Sequence, residues 1–409
     1  MSLRRYYGHD FNPAARLNSA KFKADPFPFF ARLREEAPVY RATLPNGRPA
    51  WLVARYDDAL ATLKDERFAK NPRVAVPEGG KAPWVPALLR PLTQNMLDLD
   101  GADHDRLRRL VHKGFTPRRV EALRSRIQVL CDELLDTAIS RGRLELMRDY
   151  ALPLPITIIA ELLGVPKKDR GRFHHWSSQF VGVSTPLSLV RALPALWRFT
   201  RYLRRLVEDR RAAPQDDLIT ALVQAEEAGD ALSEDELLAM VTILLIAGHE
   251  TTVNLLGSGT LALLQHPAQL ELLAGNPELA DTAIEELLRY TSPVSIATER
   301  FAREAVSIAD TSIARGDQVL VVLVSANRDQ RQFPDPDRLD ITREPNRHLA
   351  LGQGIHYCLG APLARLEAQI AINTLLRRIP RLRLRRPVDT LRWSGGIFLR
   401  GLKRLPLER

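Results

Sequence analysis

Residues 233–266, SEDELLAMVTILLIAGHETTVNLLGSGTLALLQH, constrain this chain more than any other stretch. Ser233 and Glu236 form a capping-box pattern, flanked by Leu232 and Leu237 as a hydrophobic staple. Apolar residues then dominate until Pro267, which stops a helix at the residue before it. At 1.5 Å per residue such a helix is about 50 Å long, enough to cross a whole domain. Its most apolar run, residues 237–248, is too short to span a bilayer and leads straight into HETT. The middle, AGHETT, is poor helix sequence. Gly248 costs about 1 kcal/mol relative to alanine, and Thr251 and Thr252 can turn their hydroxyls onto the backbone and open it. A small residue, a carboxylate and a hydroxyl at the centre of a buried helix suggest that something presses against it there.

A second stretch, LALGQGIHYCLGAPLAR at residues 349–365, wraps one of only two cysteines in three glycines. Gly352, Gly354 and Gly360 allow turns and close approaches of the backbone that other residues resist. Beyond Cys358 the pattern is strongly helical, with Pro362 tolerated in the first turn. The thiol therefore sits at a helix N-terminus, where the dipole and free N–H groups favour a thiolate. That suits a nucleophile or a metal ligand. Zinc asks for further Cys or His at fixed spacing, and these are absent; one thiolate suffices as the protein ligand of a haem iron. His249-Glu250 begins like a zincin HExxH, but the fifth position is Val253. Cys131, at an apolar helical position, reads as a small core residue. Two cysteines give no disulfide framework and fit a reducing cytoplasm.

Most of the chain has helical periodicity. Strand-like runs around a Pro-Asn-Gly turn predict a hairpin over 39–55, and short strands are expected at 318–327 and 397–407. The fold class is mainly α with small β-sheets near the N-terminus and in the last third. No repeat or linker divides residues 1–409, so one domain is expected. The N-terminal residues lack the apolar core of a signal peptide. The formal charge of +10 raises the question of nucleic acid, but the basic residues are scattered through helical segments without interleaved aromatics.

These motifs together resemble the cytochrome P-450 superfamily, the haem-thiolate monooxygenases, and its soluble bacterial members in particular. The family's cysteine signature F-x-x-G-x-x-x-C-x-G is matched by Gly354, Cys358 and Gly360, with Leu351 where phenylalanine is usual. Its distal-helix motif is matched by Ala247, Gly248, Glu250 and Thr251, and its E-x-x-R helix by Glu286 and Arg289. Arg338, in the following QFPDPDRLD, takes the place of the third member of that ion-pair cluster. An upstream H-x-x-x-R is matched by His104 and Arg108. The likeness covers essentially the whole chain and implies the family fold, a triangular prism of helices around a buried haem b.

The resemblance also implies roles. Cys358 is the axial thiolate on iron, in a loop with Gly352, Gly354 and Gly360. Ala247 and Gly248 leave room for dioxygen, Thr251 holds it with an ordered water, and Glu250 relays protons. His104, Arg108, Arg300 and His356 pair with the haem propionates. Glu286, Arg289 and Arg338 are structural. Ile243, Leu244, Val294, Ile296, Ala297, Ile397 and Phe398 line a lipophilic substrate pocket, with Phe180, Val181 and a lid at residues 81–96. Substrates of polyketide, terpenoid or steroid type are expected. Without a flavin or nicotinamide fingerprint, electrons come from an acidic ferredoxin with its reductase, docking on Arg106, Arg109, Lys113 and Arg365. A peroxide-driven peroxygenase and a non-catalytic haem sensor are the alternatives. The Glu250–Thr251 pair speaks against the peroxygenase, because peroxide already carries the oxygen and protons that such a pair delivers.

Overall fold

The computed structural model describes residues 17, 19–71, 73, 95–180, 186–224, 232–394 and 396–408. The helices that position the site are α1 (Gly101–Gly114), α2 (Arg124–Ser140), α3 (Glu234–Gln265), α4 (Ala280–Thr291) and α5 (Ala361–Arg378). The capping box is present: Ser233 Oγ accepts from the Glu236 N–H at 3.3 Å, and the Glu236 carboxylate accepts from the Ser233 N–H at 2.8 Å. From there α3 runs unbroken for 32 residues. It is long and apolar enough to cross a membrane by length and composition, yet most of it is buried inside the molecule. It packs against the helix Pro153–Leu162, α4, α5 and the strand Gly401–Leu402, and its leucines join the largest core cluster. Each such side chain contributes about 1.5–3 kcal/mol on full burial, which secures an otherwise indifferent helix centre.

The predicted hairpin is β1 (Val39–Thr43) and β2 (Pro49–Val53), antiparallel with Val39 opposite Val53. With β3 (Phe68–Ala69), β4 (Arg300–Ala302) and β5 (Gln318–Val321) it forms a five-stranded sheet ordered β1-β2-β5-β4-β3. The strand expected over 318–327 ends at Val321, and the chain turns into a short helix, Leu323–Ala326. Buried polar bonds explain the change: Ser325 donates to the Ala54 carbonyl, and Asn327 bonds the Ser292 hydroxyl and the Leu349 N–H. Of the stretch 397–407, only Gly401–Leu402 and the start of Pro406–Glu408 are strand.

Candidate active site

The cysteine loop folds back on itself through the Cys358 N–H, which donates to the Leu351 carbonyl at 2.9 Å. Leu351 packs on the main core. Gly354 has φ +74°, and a Cβ there would lie 2.8 Å from the Leu63 carbonyl oxygen. Gly360 differs: its φ is −80°, and an added Cβ would meet only the Cys358 sulfur at 4.0 Å. Space beside the sulfur, rather than turn geometry, is what a side chain at 360 would take. Burial pushes the Cys358 thiol up, against the Gly360 and Ala361 N–H groups and the charges of Arg108 and Arg365, which pull it down. The N–H groups at the helix start do favour the thiolate as expected, but burial outweighs them. A thiolate here needs the charge of a metal ion. Among the described residues no group of three or more His, Cys, Asp or Glu is placed to share one, so Cys358 fits a metal that brings its own remaining ligands.

On α3 every residue from Thr252 to Leu263 is buried, whereas Ala247 is exposed and Ile243, Leu244, Gly248, Glu250 and Thr251 are half-exposed. Most of these recur at three- and four-residue spacing, so they form one stripe beside an open space in the body of the fold. The Thr251 hydroxyl donates to the Ala247 carbonyl at 2.9 Å without breaking the helix. A methyl group at Gly248 would touch only Ile159, at an ordinary 3.5 Å, so the room there is open toward the stripe. Burial pushes the Glu250 carboxyl above its usual range. His249 turns away, buried, with Nδ1 2.7 Å from the Leu245 carbonyl.

The third component is a cluster of buried basic side chains. Arg300 is 3% exposed; one nitrogen reaches the Leu63 carbonyl at 3.3 Å, while Nε and Nη1 have no partner. His104 is equally buried, with Nδ1 on Asp105 and Nε2 unpaired, and its ring lies 4.4 Å from that of His356. Burial lowers Arg300 to about 10 and His356 to about 4, the latter with Lys70, His104 and Arg300 adding repulsion. Arg108 donates to the Tyr357 carbonyl at 2.8 Å. Two members escape the sequence reading. Lys70 bonds the Thr298 carbonyl at 2.9 Å and is lowered to about 7 by burial and Arg300. Burial raises Asp100, but hydrogen bonds from His356 and the Lys70 and Asn71 N–H groups outweigh it and leave the carboxyl at about 2.

Asp98 and Asp100 offset part of the charge of Lys70 and Arg300, but Arg300 Nε and Nη1 and His104 Nε2 are left without partners, a costly arrangement unless an anion enters. Two propionates supply that charge, so the residues present fit a haem. Replacing Arg300 by methionine should weaken haem retention about 10–100-fold, the worth of a hydrogen bond to a charged group. The same change should raise the unfolding midpoint of the haem-free protein, because an unpaired buried charge is gone. Haem-transfer rates and thermal unfolding check both signs.

Glu286 and Arg289 pair at 2.7 Å with both side chains fully buried. Arg338 is not their third member: its side chain is exposed and pairs with Asp340, while its carbonyl accepts from Arg289. Arg343 takes the place, with Nε 3.2 Å from Glu286. Of the pocket residues, Ile243 and Leu244 lie on the open stripe. Val294 and Ala297 are half-buried against the cluster around Tyr56, and Ile397 and Phe398 against the sheet core. Ile296 is core, 1% exposed; its neighbours Leu320 and Val322 claim its surface. The Phe180 side chain, Val181 and residues 81–94 lie outside the described residues. The docking patch is also corrected. Arg106 is paired with Glu236 and Arg365 with Glu285, whereas Arg109 and Lys113 are exposed on α1.

Comparison with known proteins agrees with this geometry. The family model "Cytochrome P450" matches residues 186–273 and 275–400. The polyketide biosynthesis cytochrome P450 PksS of Bacillus subtilis (strain 168) is 46% identical over 392 residues, covering 95% of this chain and 96% of that protein. Its solved structure superimposes with a TM-score of 0.89, covering 96% of this chain and 98% of the other at 44% identity. The cytochrome P450 monooxygenase PikC of Streptomyces venezuelae is 47% identical, covering 95% and 92%. The vitamin D(3) 25-hydroxylase of Pseudonocardia autotrophica is 45% identical, covering 96% and 95%.

Proposed function

The chain belongs to the cytochrome P450 family and is a haem-thiolate monooxygenase, and we propose that it oxidises a lipophilic small molecule of polyketide type in the cytoplasm, with electrons from an acidic ferredoxin and its reductase. The observation that carries the substrate class is the open stripe of α3. Ile243, Leu244 and Ala247 present apolar surface beside Glu250 and Thr251, the combination that binds a greasy substrate with few fixed polar groups. The printed function of PksS favours a polyketide over a terpenoid or steroid, although the vitamin D hydroxylase is almost as similar.

Bound haem supplies the iron centre at which dioxygen is reduced and one oxygen atom passes to the substrate. The chain's own residues do the rest. Cys358 gives the thiolate ligand, and the Gly360 and Ala361 N–H groups temper its charge. Arg300 and Lys70 would offset the charge of the propionates, with His104 and His356 placed to hydrogen-bond them. The Glu250 carboxyl, held above its usual range by burial, is poised to bind and release a proton beside the Thr251 hydroxyl.

Electron delivery is expected at the exposed face of α1. Arg108 of that helix bonds the cysteine loop, so Arg109 and Lys113 stand beside it and attract an acidic protein. Turnover of a polyketide panel with ferredoxin, reductase and NAD(P)H tests both parts. A substrate-induced low-to-high-spin shift should appear with macrocyclic or linear polyketides, and the reduction rate should fall as salt rises. A shift only with steroids overturns the substrate class. A rate indifferent to salt and to Arg109→Glu with Lys113→Glu overturns the docking face.

A further inference from the structure

Cys358 and the electron-docking helix α1 both stand at the start of α5, and the far end of that helix carries a second basic face that neither uses. Helix α5 runs 18 residues, so its last turn lies about 27 Å from its first. The chain then continues as RLRLRRP over 381–387. The pattern has the period of a strand: Leu382 is buried and Leu384 half-buried, while Arg381, Arg383 and Arg385 are exposed, as is Arg386. The strand Arg383–Leu384 is one edge of a three-stranded sheet, with Pro406–Glu408 in the middle and Leu144–Glu145 on the other side. Leu407 stands opposite both Leu384 and Leu144, and on the next row Glu408 faces Arg383. Just before Leu144, the turn that follows α2 adds Arg141 and Arg143, both exposed.

Among the described residues, none of these arginines makes a side-chain hydrogen bond or a contact ion pair. Arg141 lends only a distant pull to Asp149, which Arg148 holds. Their neighbours in the last turn of α5 behave otherwise: Arg377 and Arg378 both pair with Asp132 of α2, and Arg378 also with Asp136. Between the ends of α2 and α5 and the sheet lies a groove of about 550 Å³. Ile139, Ile379, Leu382 and Leu407 form its walls, Arg143 and Arg385 stand on it, and Glu408 is the one acid that lines it. Like charges held this close repel one another. The dipoles at the ends of α2 and α5 reach only the last turn of each helix, so they do not account for arginines on the sheet. The face is built to be neutralised from outside.

A second copy of this chain brings the same charge to the face and is repelled. A flat array of phosphates, in lipid headgroups or a duplex, meets the arginines but leaves the groove empty. A polypeptide that presents carboxylates around an apolar side chain satisfies both. We propose that this face is a docking surface for an acidic protein, whose carboxylates pair with Arg143, Arg381, Arg383 and Arg385 while one of its apolar side chains enters the groove between α2, α5 and the sheet. Arg108 ties α1 to the residue before Cys358, at the other end of α5. A partner held here therefore leaves Arg109 and Lys113 open to an electron donor, and the two are bound at the same time.

The test reads binding to the haem-loaded protein rather than turnover, so its failure and the failure of the monooxygenase reading are distinguishable. The probe is a short fluorescent peptide alternating glutamate with leucine, followed by anisotropy. It should bind about tenfold more tightly than the same peptide with serine for leucine, because a leucine side chain gains that much by burial. Its affinity should fall as salt rises. Arg383→Glu with Arg385→Glu should weaken it about tenfold, whereas Arg109→Glu with Lys113→Glu should leave it unchanged. Hydrogen exchange should show protection by the peptide at residues 141–144 and 379–386. The ferredoxin-supported reduction rate of the Arg383→Glu, Arg385→Glu protein should equal that of the unaltered one. If that variant does not fold, the serine peptide and the exchange map carry the test. No binding of the leucine peptide, equal binding of the serine peptide, or protection at α1 in place of the sheet overturns the docking face. So does tighter binding of phosphatidylglycerol vesicles or duplex DNA at the same residues, which would assign the face to phosphate.

Discussion

Cys358→Ala protein, reduced and exposed to carbon monoxide, should lack the far-red Soret band of a thiolate-ligated ferrous complex, while Cys131→Ala retains it. The expectation rests on position as much as on chemistry. Cys131 is a fully buried core thiol, pushed to about 12, and has no path to a metal. Cys358 lies in a loop pinned by its own N–H on Leu351 and by Arg108 on Tyr357. None of those bonds uses the sulfur, so the alanine variant should keep its fold. It should lose monooxygenase turnover entirely. Haem itself should still be captured at reduced affinity through Arg300, His104 and Lys70, and so total haem is a poor readout. The position of the Soret band separates capture from ligation. A far-red band surviving in Cys358→Ala would mean that another group ligates the iron, and the assignment of the whole loop would fall.

Much of the site was legible in the sequence because it is written in local patterns. The glycine-wrapped cysteine, the capped helix and the Ala247–Thr251 segment each have a local spacing, and the structure has the capped helix, that segment at its centre and a helix start just after Cys358. What escaped depends on pairing between distant segments. Lys70 follows a two-residue strand whose partner is β4, with Phe68 opposite Ala302 and Ala69 opposite Phe301. Only that register brings Lys70 beside Arg300, some 230 residues away, and neither residue carries a local signal. Asp100 joins them for the same reason. Arg338 and Arg343 show the limit within one segment. Both are arginines five residues apart in the same meander. The turn at 335–338, closed by the Arg338 N–H on Asp335, sends one side chain to solvent and leaves the other against Glu286.

Glu286→Gln should cost about 3–5 kcal/mol of stability, the loss typical of breaking a fully buried ion pair by removing one partner, while Arg338→Ala should stay within about 0.5 kcal/mol. The asymmetry follows from what each side chain holds. Glu286 accepts from Arg289, Arg343, Asn346 and the Asp340 N–H, and Arg289 fills its remaining donors with the carbonyls of Asn327, Pro336 and Arg338. Removing the carboxylate leaves a guanidinium that is 0% exposed without its charge partner, and no water can replace it. The damage should not stay local. Asn327 fixes the Leu349 N–H at the start of the cysteine loop, and Asn346 lies three residues before it. The variant should therefore lose haem at temperatures where the unaltered protein keeps it. Adding Arg289→Met to Glu286→Gln should recover part of the stability, because the orphaned charge is then gone. It should not recover the fixed loop, whose supporting carbonyls accepted from that same guanidinium. Thermal unfolding of both variants, followed by the Soret band and by circular dichroism, separates the two effects. Recovery of the Soret band together with stability in the double variant would show that the pair guards the fold alone and does not position the thiolate.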